Sequence, residues 1–416
     1  MARDARLRVG FISRWILEDA SALSGMPAAA WAALGRQGLE LVHLGPQGPS
    51  PYSRRWLQAF LPAGRALVPA AHRTRLRRKV EAMLDRVPTP FLYRRIIDSA
   101  VAHSRRVQQL AERARPDILF GLCISVELCA LETTTPIVYA SDATARLINA
   151  TYPVHARRPR AYHRASDEIE RRSLQRVNAA IFASERTRRS AVEDYGVPPA
   201  RTFVVPMGAH VVPAESDQPL RPDPPGPGDV ELVCVAADPV RKRLDFCIDV
   251  AEELARRGLR VRLNQVGPPT ARALQSSVVH RAGVLRLSDP ADRRRHAALL
   301  RRSHLLLLPS LGEMFGIAPC EAAHFGRPSL VSDTGGLPTA VLHERTGVVL
   351  PLDAPAERYA DEIEKLCRDP ARYRRLSEAA LLRARTELNW DAWARSVASI
   401  LEDVVRHKAR AAQPAS

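Results

Sequence analysis

Lysine is almost missing from this sequence. Of 62 basic residues in a 416-residue chain, only Lys79, Lys242, Lys365 and Lys408 are lysines; the others are arginines. A GC-rich coding sequence produces such a bias, yet the formal charge of +17 still attracts anions: nucleotides, phospholipids or nucleic acid. Aromatic residues make up only 5%, which argues against a protein that stacks single-stranded bases. The six cysteines (Cys123, Cys129, Cys234, Cys247, Cys320, Cys367) include no C-x-x-C pair. That spacing excludes the usual zinc sites and a disulfide framework, and the thiols read as small buried hydrophobes. No apolar run approaches the roughly 20 residues that span a bilayer. The apolar stretch from Leu7 to Ile12 is too short for a secretory signal, so a cytoplasmic chain is expected.

What is present is an ordinary globular composition, 46% hydrophobic and 26% charged, long enough for two or three domains. Strand and helix patterns alternate from Leu7 through Val205, which predicts a parallel, doubly wound sheet. Six prolines between Pro213 and Pro227 mark a linker. The alternation then restarts, with strands expected at Glu231–Ala236, Arg260–Val266, Gly283–Leu287, Leu305–Leu308 and Ser329–Ser332, before a helical tail. The expected organisation is a first α/β domain over 1–212, a linker over 213–229, a second α/β domain over 230–388, and a C-terminal helix and tail over 389–416 that packs back on the first domain. Two such sheets facing each other form an interdomain cleft for two substrates, because ligands bind beyond the carboxyl ends of the strands.

Charge is concentrated between Gly64 and Arg115, where thirteen basic residues stand against four acidic ones. Solvated helix faces explain this, and so does a surface for an anionic acceptor or membrane. Arg73, Arg75, Arg77 and Arg78 are the centre of the cluster.

The strongest local signal runs from Pro309 to Pro328. A strand ends, a glycine-containing loop turns, and a helix begins near Pro319. Glu313 falls in the loop and Glu321 about one turn inside the helix, where each carboxylate is able to accept hydrogen bonds from a diol. Ser310, Phe315 and Gly316 line the same loop, and the helix N-terminus favours phosphate. Gly335-Gly336 makes a further turn at the same rim. A second cluster, Asp238-Pro239-Val240-Arg241-Lys242-Arg243, follows the first strand of the second half. Arg241 and Lys242 there suit a diphosphate as fork plus point charge.

Together these segments resemble the retaining glycosyltransferases of family 4, whose GT-B architecture is two facing Rossmann-like domains. Glu313 and Glu321 match that family's Glu-x7-Glu motif. Pro309-Ser310, Phe315-Gly316, Gly326-Arg327-Pro328 and Gly335-Gly336 match its surroundings. Arg241-Lys242 matches its Arg-Lys-Gly motif, with Arg243 in place of the glycine. Ser141-Asp142-Ala143-Thr144, Tyr195-Gly196 and Val205-Pro206-Met207-Gly208-Ala209 resemble a bacterial branch with a Ser-Asp-Ala-Thr turn. The resemblance implies a nucleoside-diphosphate sugar as donor, with Glu313 on the transferred sugar, Glu321 on the ribose diol, and Arg241 and Lys242 on the diphosphate. It implies retention of configuration and no cofactor or metal; no Asp-x-Asp metal motif occurs in the sequence.

Two first-domain positions carry open alternatives. Gly25, in Ser24-Gly25-Met26-Pro27, either lets the backbone approach the diphosphate or is a simple turn glycine. Asp142 stands where many family members place a histidine. It either binds a sugar hydroxyl or takes the acceptor proton, or it caps the next helix, or both. The acceptor is expected to be a surface polysaccharide, a lipid-linked glycan or a small natural product, with peripheral contact to an anionic membrane at the inner face of the cell membrane. A non-catalytic nucleotide-sugar or glycan-binding homologue is the alternative. Specific nucleic-acid binding is not expected, since no recognised motif supports it.

Overall fold

The computed structural model describes residues 6–15, 17, 25–45, 89–214, 224–226 and 228–411. The basic residues Arg65 to Arg86, including the Arg73–Arg78 cluster, and the turn residue Ser24 lie outside the described residues.

The chain forms two parallel six-stranded sheets. The first contains β1 (Arg8–Ile12), β2 (Glu40–Leu44), β3 (Ile118–Leu122), β4 (Ile137–Ser141), β5 (Ala179–Phe182) and β6 (Thr202–Val204), in the order β2-β1-β3-β4-β5-β6. The second contains β7 (Asp229–Val235), β8 (Arg260–Val266), β9 (Val279–Gly283), β10 (Leu305–Leu308), β11 (Ser329–Ser332) and β12 (Gly347–Leu350), in the order β12-β11-β10-β7-β8-β9. Central strands such as β3, β4 and β10 are buried along their whole length. Helices cover both sheet faces, which explains why these strands read as continuous apolar runs rather than alternating ones.

The strand expected at Gly283–Leu287 lies instead at Val279–Gly283. That glycine adopts φ 81°, a left-handed conformation that takes the chain out of the ladder. The long helix Trp390–Ala411 lies against the first domain. Trp393 packs edge-on to Phe120 with centroids 6.1 Å apart, and Asp391 pairs with Arg36 at 2.7 Å. Where the chain crosses between domains, the Ala209 amide donates to the Leu388 carbonyl at 3.2 Å. Gly208 sits so close to the Asn389–Trp390 backbone that a Cβ would overlap it.

In each sheet the strand order reverses once, between β1 and β3 and between β7 and β10. Loops leaving neighbouring strands at such a point go to opposite faces and open a crevice at the carboxyl ends. Those two crevices position the site.

Candidate active site

In the second domain, the loop after β7 carries Arg241 and Lys242, and the loop after β10 carries Glu313. The structure brings the three together: Arg241 Nη1 lies 2.9 Å and Lys242 Nζ 3.2 Å from Glu313 Oε1. Ser310 Oγ donates to the same oxygen at 3.1 Å. Burial opposes the Glu313 charge, but Lys242 and Arg241 outweigh it and hold the carboxyl below its ordinary range. Arg241 also faces the half-exposed Asp238 carboxylate, its Nε 3.7 Å from Asp238 Oδ2, so the two cations are met by two carboxylates. Arg241 Nη1 also donates to the Gly312 carbonyl at 2.6 Å, and the Leu311 amide donates to the Arg241 carbonyl at 2.8 Å. The two loops are therefore locked to each other before any ligand arrives.

Gly335-Gly336 backs this arrangement. The Gly336 amide donates to the Glu313 carbonyl at 3.1 Å. A Cβ at Gly335 would overlap that carbonyl oxygen, and one at Gly336 would overlap the Met314 carbonyl. The amide of Gly336 is thus engaged by the protein itself rather than offered to a ligand. Ser332 Oγ ties the same two loops by donating to the Ser310 carbonyl at 2.5 Å. Gly316, at φ 106°, starts the helix Ile317–His324 two residues before the position at which Pro319 suggested it. The Phe315 side chain is buried in the apolar core, so only its backbone is free to face a ligand.

Glu321 is buried on that helix and apart from the Glu313 cluster. Burial pushes it up to about 8, offset in part by the amides of Val211 and His210 and by the charge of Lys242. His296 Nε2 lies 3.7 Å from its Oε2.

The first domain contributes less densely. Asp142 follows β4, but it does not cap the next helix: Thr144 does, its Oγ1 accepting from the Leu147 amide. Freed from capping, the Asp142 carboxylate meets the Cys123 thiol at 3.7 Å. Burial, and after it the negative charge of Glu313, raise its pKa. Gly25 is buried at φ 84° and begins the helix Met26–Gly35.

Tyr152 was not anticipated from the sequence. It precedes Pro153, which disfavours helical backbone, and the chain extends there (φ −97°, ψ 117°) between the helices Ala145–Thr151 and Pro153–Ala156. The Arg241 guanidinium lies 5.1 Å from the centroid of its ring, so a first-domain aromatic rests on a second-domain cation. Burial, Glu313 and Asp142 all raise its hydroxyl pKa, while Arg241 lowers it. Beside it, a Cβ at Gly312 would overlap the Thr151 methyl. The aromatic-Pro pair after the Ser-Asp-Ala-Thr turn was the available signal. Among the described residues, no group of three His, Cys, Asp or Glu side chains converges as a metal site, and no helix is long and apolar enough to cross a membrane.

Comparison with known proteins fits this geometry. Residues 229–369 match the family model "Glycosyl transferases group 1", and residues 32–211 match "Glycosyltransferase Family 4". A D-inositol 3-phosphate glycosyltransferase of Frankia alni is 31% identical over 281 residues, 63% of this chain and 67% of that protein. One of Streptomyces bingchenggensis is 32% identical over 123 residues, 30% of this chain, and the match spans only 27% of that relative. Among solved structures, sucrose-phosphate synthase from Thermosynechococcus elongatus superposes with a TM-score of 0.64 at 15% identity, over 97% of this chain and all of that one. The fold is GT-B, and the chain belongs to the family 4, group 1 glycosyltransferases.

Proposed function

We propose that this protein transfers a sugar from a nucleoside-diphosphate sugar to a hydroxyl acceptor, with retention of anomeric configuration and without a metal ion. The observation that carries the reading is the convergence of Arg241, Lys242 and Glu313 at the switch point of the second sheet. Breaking the glycosidic bond puts charge on the departing diphosphate. Fixed cations in a half-buried crevice stabilise that charge more in the transition state than in the ground state. Their side chains are only 14% and 12% exposed, so water screens them weakly. Glu313 orients the cations and accepts hydrogen bonds from the transferred sugar, while Glu321 takes the ribose. Asp142, on the first domain with a raised pKa, is suited to bind a hydroxyl of the acceptor or accept its proton. Retention rests on the family resemblance.

The acceptor, whether glycan, lipid-linked or small, belongs to the first domain. Arg94, Arg95, Arg105, Arg106 and Arg113 are exposed on the helix Thr89–Ala114 and would hold the enzyme at an anionic membrane if the acceptor is lipid-linked. D-inositol 3-phosphate, the compound in the relatives' names, belongs in the acceptor panel. The test is slow hydrolysis of a panel of nucleotide sugars, with and without EDTA, with NMR of the anomer formed on transfer. Hydrolysis of one donor that survives EDTA is expected. Binding without turnover would instead identify a non-catalytic nucleotide-sugar binder, and activity restored only by manganese or magnesium would remove the proposed role of the cation pair.

A further inference from the structure

Tyr152 stands on the first domain, yet its side chain reaches the second. The Arg241 guanidinium carbon lies over its ring, 5.1 Å from the centroid, and the Met314 amide, in the loop that carries Glu313, supports its hydroxyl. The backbone that presents the ring has little slack. The Tyr152 amide donates to the Ile148 carbonyl at 3.0 Å, and the Tyr152 carbonyl accepts from the amides of His155 and Ala156 at 2.8 and 2.9 Å. Pro153 holds the residue before it extended. The preceding residue completes the fit, because the Thr151 methyl fills the space that a Cβ at Gly312 would need.

Arg241 is held by its own domain along one edge. Nη1 meets Glu313 Oε1 at 2.9 Å and the Gly312 carbonyl at 2.6 Å, and Nε faces Asp238 Oδ2 at 3.7 Å. Among the described residues no hydrogen bond engages Nη2, so that nitrogen is the donor left for a phosphate oxygen. Contacts along one edge leave a planar group free to tilt about that edge. A ring over its face opposes the tilt, attracts the cation through the ring quadrupole, and keeps water from it.

We propose that Tyr152 is a positioning residue for the donor diphosphate: its ring fixes the plane of Arg241, so that Nη2 meets the phosphate, and the donor site of the second domain is complete only with the first domain docked on it. This rests on the donor reading above. It gives the first domain a share in donor affinity through one side chain.

The test is calorimetric binding of UDP, GDP and ADP at fixed pH and salt. The nucleotide that the wild type binds best is then titrated into Tyr152→Leu, Tyr152→Phe, Arg241→Lys and the double variant of Tyr152→Leu with Arg241→Lys. Leucine keeps apolar bulk without a π face. The Glu185 amide still donates to Thr339 Oγ1 between the domains, so the fold should persist, and thermal melts check this. Affinity should fall about tenfold in Tyr152→Leu and stay within about threefold of the wild type in Tyr152→Phe, which keeps the ring. Lysine retains the charge but not the plane, so in the Arg241→Lys background the loss of the ring should cost less than about threefold. Affinity of Tyr152→Leu within about threefold of the wild type overturns the proposal. So does a loss that Tyr152→Phe shares in full. A loss that persists undiminished in the Arg241→Lys background overturns it too, because a merely structural ring acts regardless of the group beneath it. If none of the three nucleotides binds the wild type, the donor reading falls first and this proposal with it.

Discussion

The two crevices of this molecule are built differently. At the second sheet, Arg241, Lys242, Ser310 and Glu313 hold one another within 3.2 Å, and a glycine pair presses on the loop from behind. At the first sheet, the one side-chain hydrogen bond the structure gives Asp142 is to a thiol at 3.7 Å. On the proposed reading, the crevice that takes the donor is preorganised by its own electrostatics, whereas the one that takes the acceptor leaves its carboxylate available. A departing diphosphate gains from dipoles and charges that need no reorganisation. An acceptor carboxylate must instead bind and release a proton, which strong ion pairing would prevent.

Glu313→Gln should break the contrast most severely. It removes the charge that holds two cations, so turnover should fall by about two to three orders of magnitude. The same change frees Lys242 from its carboxylate and leaves Arg241 only Asp238 at 3.7 Å, so affinity for the free nucleoside diphosphate should rise. Steady-state rates and calorimetry together check this opposed movement. A parallel loss of both would mean that Glu313 serves only to fold the loop.

Asp142→Asn comes next. If Asp142 takes the acceptor proton, transfer should fall by about a hundredfold. Donor hydrolysis without acceptor should change little, since the donor site is locked within the other domain. Transfer and hydrolysis falling together would erase the division between the two crevices.

How much of this was legible beforehand follows the same division. Charged residues at strand ends announce themselves, and Arg241, Lys242 and Glu313 were readable because each stands just beyond an apolar strand and matches a motif of the family that the sequence resembles. The reversal of strand order that makes the loops after β7 and β10 neighbours is not in any local pattern. Tyr152 was hidden because its partner, Arg241, lies on the other domain, and no short-range periodicity records an interdomain contact. The helix Ile317–His324 began early because Gly316, not Pro319, sets its start.

Gly335→Ala should sharpen the account of preorganisation. The backbone there has φ 55°, and an added Cβ would overlap the Glu313 carbonyl oxygen, so either strand of the loop pair must shift. A destabilisation of about 1–3 kcal/mol and a marked loss of turnover are expected. Gly38→Ala is the control. Gly38 has φ 78° but nothing within 4 Å of a new Cβ, so only the conformational cost of about 1 kcal/mol applies, with turnover intact. Equal losses of turnover in both would show that the loop behind Glu313 plays no special part.

Arg243→Gly should have the smallest effect. Arg243 stands where the family motif has glycine, and it adopts the left-handed backbone that glycine favours, φ 52° and ψ 51°. That conformation costs a non-glycine residue roughly 1 kcal/mol. Its guanidinium recovers part of this by lying 3.8 Å over the Phe246 ring, a contact worth about 0.5–1 kcal/mol at an exposed site. It also donates to the Leu352 carbonyl at 3.3 Å. Glycine would remove the strain but lose the stack and add disorder to the unfolded chain, about 0.4–1 kcal/mol. The terms nearly cancel, so stability should stay within about 1 kcal/mol of the wild type. Function should also hold, because Arg243 is directed to Phe246 and Leu352, while Arg241 and Lys242 are directed to Glu313. Thermal melts and diphosphate calorimetry decide the matter. A several-fold loss of diphosphate affinity would add a third cation to the donor crevice. Unchanged affinity would show that the turn tolerates arginine in place of glycine because the stacked side chain offsets a strained backbone.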